Sequence, residues 1–171
     1  MQITSIIRRA AQINPQGIAT IYEGRQQTWT QMLERVARLA GGLQQLGMKP
    51  GDRVALLSLN SDRFIEYYFA VVWGGGAMMP MNIRWAAAEC AYALNDAQAE
   101  ILIVDETFKG VAAELRADVK GLKTIIYCGD GETPDGMENY ENIVACNAPA
   151  EDAGRGSDDL AGIFYTGGTT G

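Results

Sequence analysis

From residue 53 onward the chain alternates short, unbroken apolar runs with longer stretches whose apolar positions recur every three or four residues. The unbroken runs, at residues 53–59 (RVALLSL), 77–81, 101–104 (ILIV), 124–128 and 160–165, predict five strands. The periodic stretches predict helices between them. Ser61 can cap one that carries Phe64, Ile65, Tyr68, Phe69 and Val72 and stops at Gly74-Gly75-Gly76. Two more are predicted over residues 86–95 and 107–117. The strand starts at 53, 77, 101 and 124 are separated by 24, 24 and 23 residues. That interval fits a strand plus its crossover helix, so a parallel sheet with right-handed crossovers is expected. Runs without a polar side suit strands buried on both faces.

Upstream the pattern changes. Residues 18–23 and 26–29 read as a hairpin around Glu23-Gly24-Arg25, expected to lie at the sheet edge. Thr30 is placed to cap a helix whose apolar face is Met32, Leu33, Val36, Ala37, Leu39, Ala40, Leu43 and Leu46. Gly47 ends that helix, and Lys49-Pro50-Gly51-Asp52 turns the chain. The first residues predict a short amphipathic surface helix ended by Asn14-Pro15. Residues 129–136 are turn-rich, 138–146 predict a short helix, and 147–157 an exposed connection. The expected fold class is α/β, a mainly parallel β-sheet flanked by helices with an N-terminal β-hairpin.

Composition narrows the function. The 171 residues are 47% apolar and 20% charged, and the net charge of −7 argues against a nucleic-acid partner, since counterion release needs clustered Lys and Arg. With no histidine, His-based catalysis and His metal sites are outside this segment. Cys90, Cys128 and Cys146 are widely spaced and odd in number, so buried free thiols in a reducing cytosol are expected rather than disulfides. The longest uncharged run, residues 67–81, has 15 residues and is interrupted by Gly74, Gly75, Gly76 and Pro80. A membrane span needs about 20, so no integral membrane segment is expected. The N-terminus lacks the apolar core of a secretory signal.

The chemistry concentrates at the end. An apolar strand runs directly into Thr166-Gly167-Gly168-Thr169-Thr170-Gly171, a loop of only threonine and glycine. Glycines let backbone N–H groups close around a ligand, and hydroxyls add donors, which suits phosphate oxygens at the C-terminal end of a parallel strand. It is not a Walker A loop, because GxxxxGK[ST] is absent. On composition alone, a flexible tail or tight hairpin turn remains an equal reading. Elsewhere bland readings lead: helix capping and a surface ion pair for Asn82 and Arg84, helix termination for Gly74-Gly75-Gly76, core filling for Met78, Met79 and Met81, packing for Trp73 and Trp85, and a solvated pair for Asp158-Asp159.

Tyr165-Thr166-Gly167-Gly168-Thr169-Thr170-Gly171 resembles the opening of the adenylate-forming (AMP-binding) signature, usually Y-T-S-G-T-T-G, with Gly167 where serine is most usual. Trp29-Thr30-Gln31, Pro50-Gly51-Asp52-Arg53-Val54, Asn60-Ser61, Pro80-Met81-Asn82-Ile83-Arg84, the Glu89, Tyr92, Leu94 and Asp96 set, and Val104-Asp105 are similar to fatty acyl-CoA synthetases in the same order. The resemblance implies that residues 1–171 are the three-layer, flavodoxin-like N-terminal subdomain of a larger AMP-binding domain, ending inside its phosphate loop. It implies a ligase that uses ATP and Mg²⁺ to turn a carboxylic acid, a fatty acid by preference, into an acyl-adenylate and passes the acyl group to coenzyme A. Thr166, Thr169 and Thr170 would contribute hydroxyls, and Gly167, Gly168 and Gly171 backbone contacts, to ATP phosphates. The loop lysine, the nucleoside contacts, the Mg²⁺-holding acid and the acyl tunnel are expected beyond Gly171, so no residue here is assigned a catalytic or metal role. A cytoplasmic enzyme is expected, with a homodimer left open. The competing expectation is a non-catalytic flavodoxin-like binding or dimerisation module.

Overall fold

The structure is a computed structural model and describes residues 2–166. Helix α1 (Ser5–Ile13) leads into a hairpin of β1 (Ile18–Tyr22) and β2 (Arg25–Thr28), then α2 (Trp29–Gln45). Next come β3 (Arg53–Leu57), α3 (Asp62–Trp73), β4 (Ala77–Pro80), α4 (Ala87–Asp96), β5 (Ile101–Val104), α5 (Lys109–Asp118) and β6 (Thr124–Tyr127) in strict alternation. A short β7 (Glu138–Asn139) and α6 (Tyr140–Cys146) follow. The sheet is five-stranded in the order β4-β3-β5-β6-β7, and every pair is parallel.

The order explains the layers. The step from β3 to β4 runs one way across the sheet and the step from β4 to β5 runs back. Right-handed crossovers therefore place α3 on the opposite face from α4 and α5. Alternate strand residues serve the two faces. Val54, Leu56, Ile101 and Ile103 meet Tyr67, Ala70 and Val71 of α3, together with α2 and α6. Ala55, Leu57, Leu102 and Val104 meet Cys90, Ala93 and Leu94 of α4 and Ala112 and Leu115 of α5. Helix α3 ends at Gly74, and Gly75 has φ +94°, a conformation glycine takes without steric cost.

One side chain enters the sheet itself. Backbone bonds run from Ala77 N to Asp52 O (2.8 Å) and from Met81 N to Leu56 O (2.8 Å). Midway between them Met79 N faces Val54 O. At this rung the Tyr67 hydroxyl accepts from Met79 N and donates to Val54 O, both at 2.7 Å. Tyr67 is fully buried, and burial pushes its phenol well above the usual range, so it remains a donor.

Several expectations are corrected. The hairpin is a separate antiparallel sheet that rests on α2 and α3, not on the edge of the main sheet. The cap of α2 is Thr28: its hydroxyl accepts from Gln31 N (3.2 Å) while the Gln31 side chain accepts from Thr28 N (2.9 Å). Thr30 instead donates its hydroxyl to Pro15 O (3.0 Å), tying the helix start to the preceding loop. Residues 138–146 are not one helix, because Glu138 and Asn139 first pair with β6 and Asn139 then caps α6 through Asn142 N (2.8 Å). Residues 160–165 form a single parallel bridge, Met78 with Gly162, rather than a strand. The next rung would require a donor from Pro80, which has no N–H. Cys90 and Cys128 are buried as expected, but Cys146 ends α6 exposed.

A buried ion network joins the hairpin to the helices on the α3 face. Glu66 is fully buried. Its Oε1 accepts from Arg35 Nε (2.6 Å) and Gln27 (2.8 Å), and its Oε2 from Arg35 Nη2 (3.0 Å) and the Tyr140 hydroxyl (2.7 Å). Arg35 also reaches Glu141, which pairs with Arg63 (2.8 Å); Arg63 pairs with Asp130 (2.8 Å), and Asp130 with Arg25 (2.9 Å). The hydrogen bond from Arg25, helped by Arg63, holds the Asp130 carboxyl below its ordinary value against a smaller effect of burial. Burial alone would raise Glu141, but Arg35 and Arg63 outweigh it and hold that carboxyl low.

Two outcomes are expected. Tyr67→Phe leaves the rung between β3 and β4 short of its hydroxyl and should cost about 1–3 kcal/mol in urea unfolding, for a buried donor and acceptor left to readjust. The depressed carboxyls stabilise the fold above their unfolded values, about pH 4, and that contribution is lost as pH falls through the lower folded values. The urea midpoint should therefore drop on acidification from about pH 5 to pH 3, and combining Asp130→Asn with Glu141→Gln should flatten the drop.

Candidate functional site

Parallel strands deliver their following loops to one edge of the sheet, and the loop root arrives there too. Ile163 N donates to Met78 O (2.8 Å) and Met78 N to Ala161 O (2.9 Å), so residues 161–163 run parallel to β4. The approach is close enough that a Cβ on Gly162 would stand 2.9 Å from Met78 O. Glycine is required by space at this position. Beyond the bridge, Tyr165 packs its ring edge-on against Trp85, with centroids 6.0 Å apart, and its hydroxyl donates to Asp96 Oδ2 (2.6 Å). Thr166 follows, exposed and outside any regular element. The remaining expected phosphate contacts, Gly167, Gly168, Thr169, Thr170 and Gly171, lie outside the described residues.

The strand order reverses between β3 and β5, the point at which an open α/β sheet has its natural ligand crevice. Here a carboxylate spans the two strand ends. Asp105, directly after β5, accepts at Oδ2 from Leu59 N (2.7 Å) and the Ser58 hydroxyl (3.2 Å), and at Oδ1 from Thr107 N (2.9 Å). Its carboxylate takes up the donors that a ligand phosphate would seek. The cleft at this point, about 310 Å³, is lined by Tyr22, Arg25, Leu59, Arg63, Asp105 and Cys128, among others. Its two guanidinium groups are already bound: Arg25 to Asp62 and Asp130, and Arg63 to Glu141, Asp130 and Cys128 O. Burial pushes the Cys128 thiol up to about 12, so it is a packed thiol rather than a nucleophile. These features weigh against a self-sufficient flavodoxin-like phosphate site at the reversal point.

The other singled-out residues have local roles. Asn82 Oδ1 accepts from the backbone N–H of Arg84 (3.0 Å), shaping a turn before α4; the helix start is closed by Glu89, which accepts from Ala86 N (2.8 Å). Neither the capping role for Asn82 nor an ion pair for Arg84 is what that turn uses. Met78, Met79 and Met81 are buried in the two cores. Trp73 packs and donates its indole N–H to Ala150 O (2.9 Å). Asp159 pairs with Arg155 (3.2 Å) and accepts from Gly156 N (3.0 Å), while Asp158 is exposed. The Asp105 link between the strand ends and the Tyr165–Asp96 contact were missed in the sequence. An aspartate two residues before Thr107 at a strand end is a signal for the Asx turn it makes, but nothing local marks its reach to β3.

A family model described as AMP-binding enzyme matches residues 7–171. The chain belongs to the AMP-binding enzyme family. Among curated AMP-binding relatives, it is 31% identical to the 3-oxocholest-4-en-26-oate–CoA ligase of Rhodococcus rhodochrous, over all of this chain and 32% of that protein. It is 35% identical to the long-chain-fatty-acid–CoA ligase of Thermus thermophilus, over 84% of this chain and 26% of that protein. Among solved structures, the anthranilate CoA ligase AuaEII in complex with anthranoyl-AMP superposes with a TM-score of 0.93 at 25% identity, over 100% of this chain and 33% of that one. The N-terminal domain of FACL13 from Mycobacterium tuberculosis, bound to an inhibitor, gives a TM-score of 0.85 at 30% identity, over 99% of this chain and 42% of that one. This AMP-binding chain thus spans about a third of the length of the curated relatives it matches.

The spacing at the loop root yields a direct test. Gly162→Val should push residues 161–163 off β4, because the neighbour it meets is the backbone carbonyl of Met78. Amide exchange at Ile163, slow in the parent, should become fast while that at Leu102 in central β5 stays slow.

Proposed function

We propose that residues 1–171 form the N-terminal subdomain of the large AMP-binding domain of an ATP-dependent acyl-CoA ligase, with Thr166, Gly167, Gly168, Thr169, Thr170 and Gly171 as its phosphate loop. The observation that carries this reading is the arrival of residues 161–163 beside Met78, parallel to β4 and leading directly into Thr166, in a chain whose AMP-binding match extends to Gly171. In the proposed reaction a carboxylate oxygen attacks the α-phosphate of ATP, and pyrophosphate leaves. The thiol of coenzyme A then attacks the acyl carbon and AMP leaves. The loop's task is to hold the β- and γ-phosphates in line for the first step and to retain the pyrophosphate charge as it develops. The resemblance implies Mg²⁺ as a cofactor of the full-length enzyme; among the described residues no group of three His, Cys, Asp or Glu side chains is placed to hold a metal ion.

The substrate is proposed to be a carboxylic acid, a fatty acid by preference. Relatives named for acting on a steroid acid and long-chain fatty acids support the aliphatic class, and the anthranilate ligase supports an aryl acid as second choice. Dependence on ATP and coenzyme A favours a cytoplasmic location. Residues 1–171 alone are expected to release no pyrophosphate from ATP with any acid in a panel.

The decisive comparison uses the full-length protein that carries this chain, scored by acid-dependent ATP–pyrophosphate exchange and CoA thioester formation. Gly168→Val should lose about 10²-fold or more in kcat/KM for ATP, since it removes two or three charge-assisted backbone contacts of roughly 1.5–3 kcal/mol each. Thr170→Ala deletes one hydroxyl and should lose less. A folded Gly168→Val enzyme with parental rates would remove the loop from the nucleotide site.

A further inference from the structure

The expected phosphate loop, Thr166 to Gly171, contains only threonine and glycine, and glycine is the residue with the widest choice of backbone conformation. Holding phosphates in line for attack requires that the loop start from a fixed point. The backbone bridge at Gly162 ends at Ile163, and Pro80 prevents its extension. Between that bridge and Thr166 the chain is held by a side chain. Among the described residues, Tyr165 supplies the only side-chain hydrogen bonds from the segment 160–166 to the rest of the molecule.

We propose that Tyr165 and Asp96 are positioning residues for the phosphate loop: the Tyr165 hydroxyl, bound to the Asp96 carboxylate on the last turn of α4, fixes where the backbone enters Thr166. This rests on the adenylation reading of the loop. The geometry supports a rigid anchor at both ends of the contact. Asp96 sits on a helix end that is itself tied down, since the Arg53 guanidinium at the start of β3 donates to Ala97 O and Gln98 O just beyond it. Trp85, preceding α4, meets the Tyr165 ring edge-on and limits its rotation. Burial, with Asp96 beside it, pushes the Tyr165 phenol up to about 12, so the hydroxyl carries its proton and donates at neutral pH. The linkage therefore runs from a central strand, through Arg53 and the end of α4, to the residue directly before the first loop threonine. It touches neither substrate nor nucleotide and acts only through Thr166.

The test uses the full-length protein and five forms of it: parent, Tyr165→Phe, Asp96→Ala, Asp96→Asn and the Tyr165→Phe/Asp96→Ala double variant. Two half-reactions are measured separately, acid-dependent ATP–pyrophosphate exchange, and thioester formation from supplied acyl-adenylate and coenzyme A. Tyr165→Phe keeps the ring against Trp85 and removes one oxygen, and melting curves confirm that each form is folded. Expected is a loss of about ten-fold in kcat/KM for ATP in the exchange for both Tyr165→Phe and Asp96→Ala. The double variant should lose no more than either single one, Asp96→Asn should retain most of the rate through its remaining acceptor oxygen, and thioester formation from supplied adenylate should be unchanged. Parental exchange rates in both single variants, additive losses in the double variant, or equal losses in the two half-reactions would each overturn the positioning role. If the parent itself gives no exchange with any acid of the panel, the adenylation reading falls and this inference falls with it. An active parent with unaffected variants removes this inference alone.

Discussion

The Glu66 carboxylate is the constraint around which one face of the molecule is assembled. A charged carboxylate taken fully out of water is costly unless its oxygens are met by donors, and a single missing partner of a buried pair typically costs about 3–5 kcal/mol. Here the donors come from three separate elements, Arg35 on α2, Gln27 on β2 and Tyr140 on α6, and Arg35 is shared with Glu141, which pairs in turn with Arg63. None of these can move without exposing a charge to an apolar core. The hairpin, which among the described residues has no ladder bonds to the main sheet, is held in place this way, and the network adds to the core contacts of Ile143 and Val144 in fixing α6.

The reversal of strand order brings a second constraint. Where the strand order reverses, a doubly wound sheet opens a crevice, and here Asp105 bonds across it from β5 to the end of β3. The edge beside β4 is left as the place where a new loop can be delivered. The chain arrives there on one bridge, through a glycine that permits close approach, and Pro80 stops the pairing. At the reversal point the cleft's arginines and Asp105 are bonded to neighbouring groups, the far edge of the sheet is β7, and the β4 edge receives residues 161–163.

The parallel core was legible because its signals are local. Strand starts expected at 53, 77, 101 and 124 coincide with Arg53, Ala77, Ile101 and Thr124, since a βα unit has a nearly fixed length and its strands are apolar throughout. The cap at Ser61 and the termination at Gly74 were equally local. What was not legible depends on partners distant in sequence. Asn139 pairs with β6 as part of β7 before capping α6, and nothing in residues 138–146 announces a strand partner. Threonine stands at both 28 and 30, and the choice of Thr28 as cap depends on Gln31 three residues on, a pairing visible in the sequence but outweighed by the expected strand end. The ion network was invisible because Glu66 meets Arg35 and Tyr140 from 31 and 74 residues away. The Thr/Gly loop was legible in composition, while its assignment came from resemblance.

The Tyr67 hydroxyl within the sheet has a consequence for assembly. A rung of β3 against β4 that contains an oxygen from α3 cannot be completed by the two strands meeting first and the helix settling afterwards. Helix docking and strand pairing become one kinetic event within residues 53–80, a segment short enough for closure to be fast. That unit offers an edge on each side: β5 pairs with the far side of β3, and residues 161–163 bridge to β4.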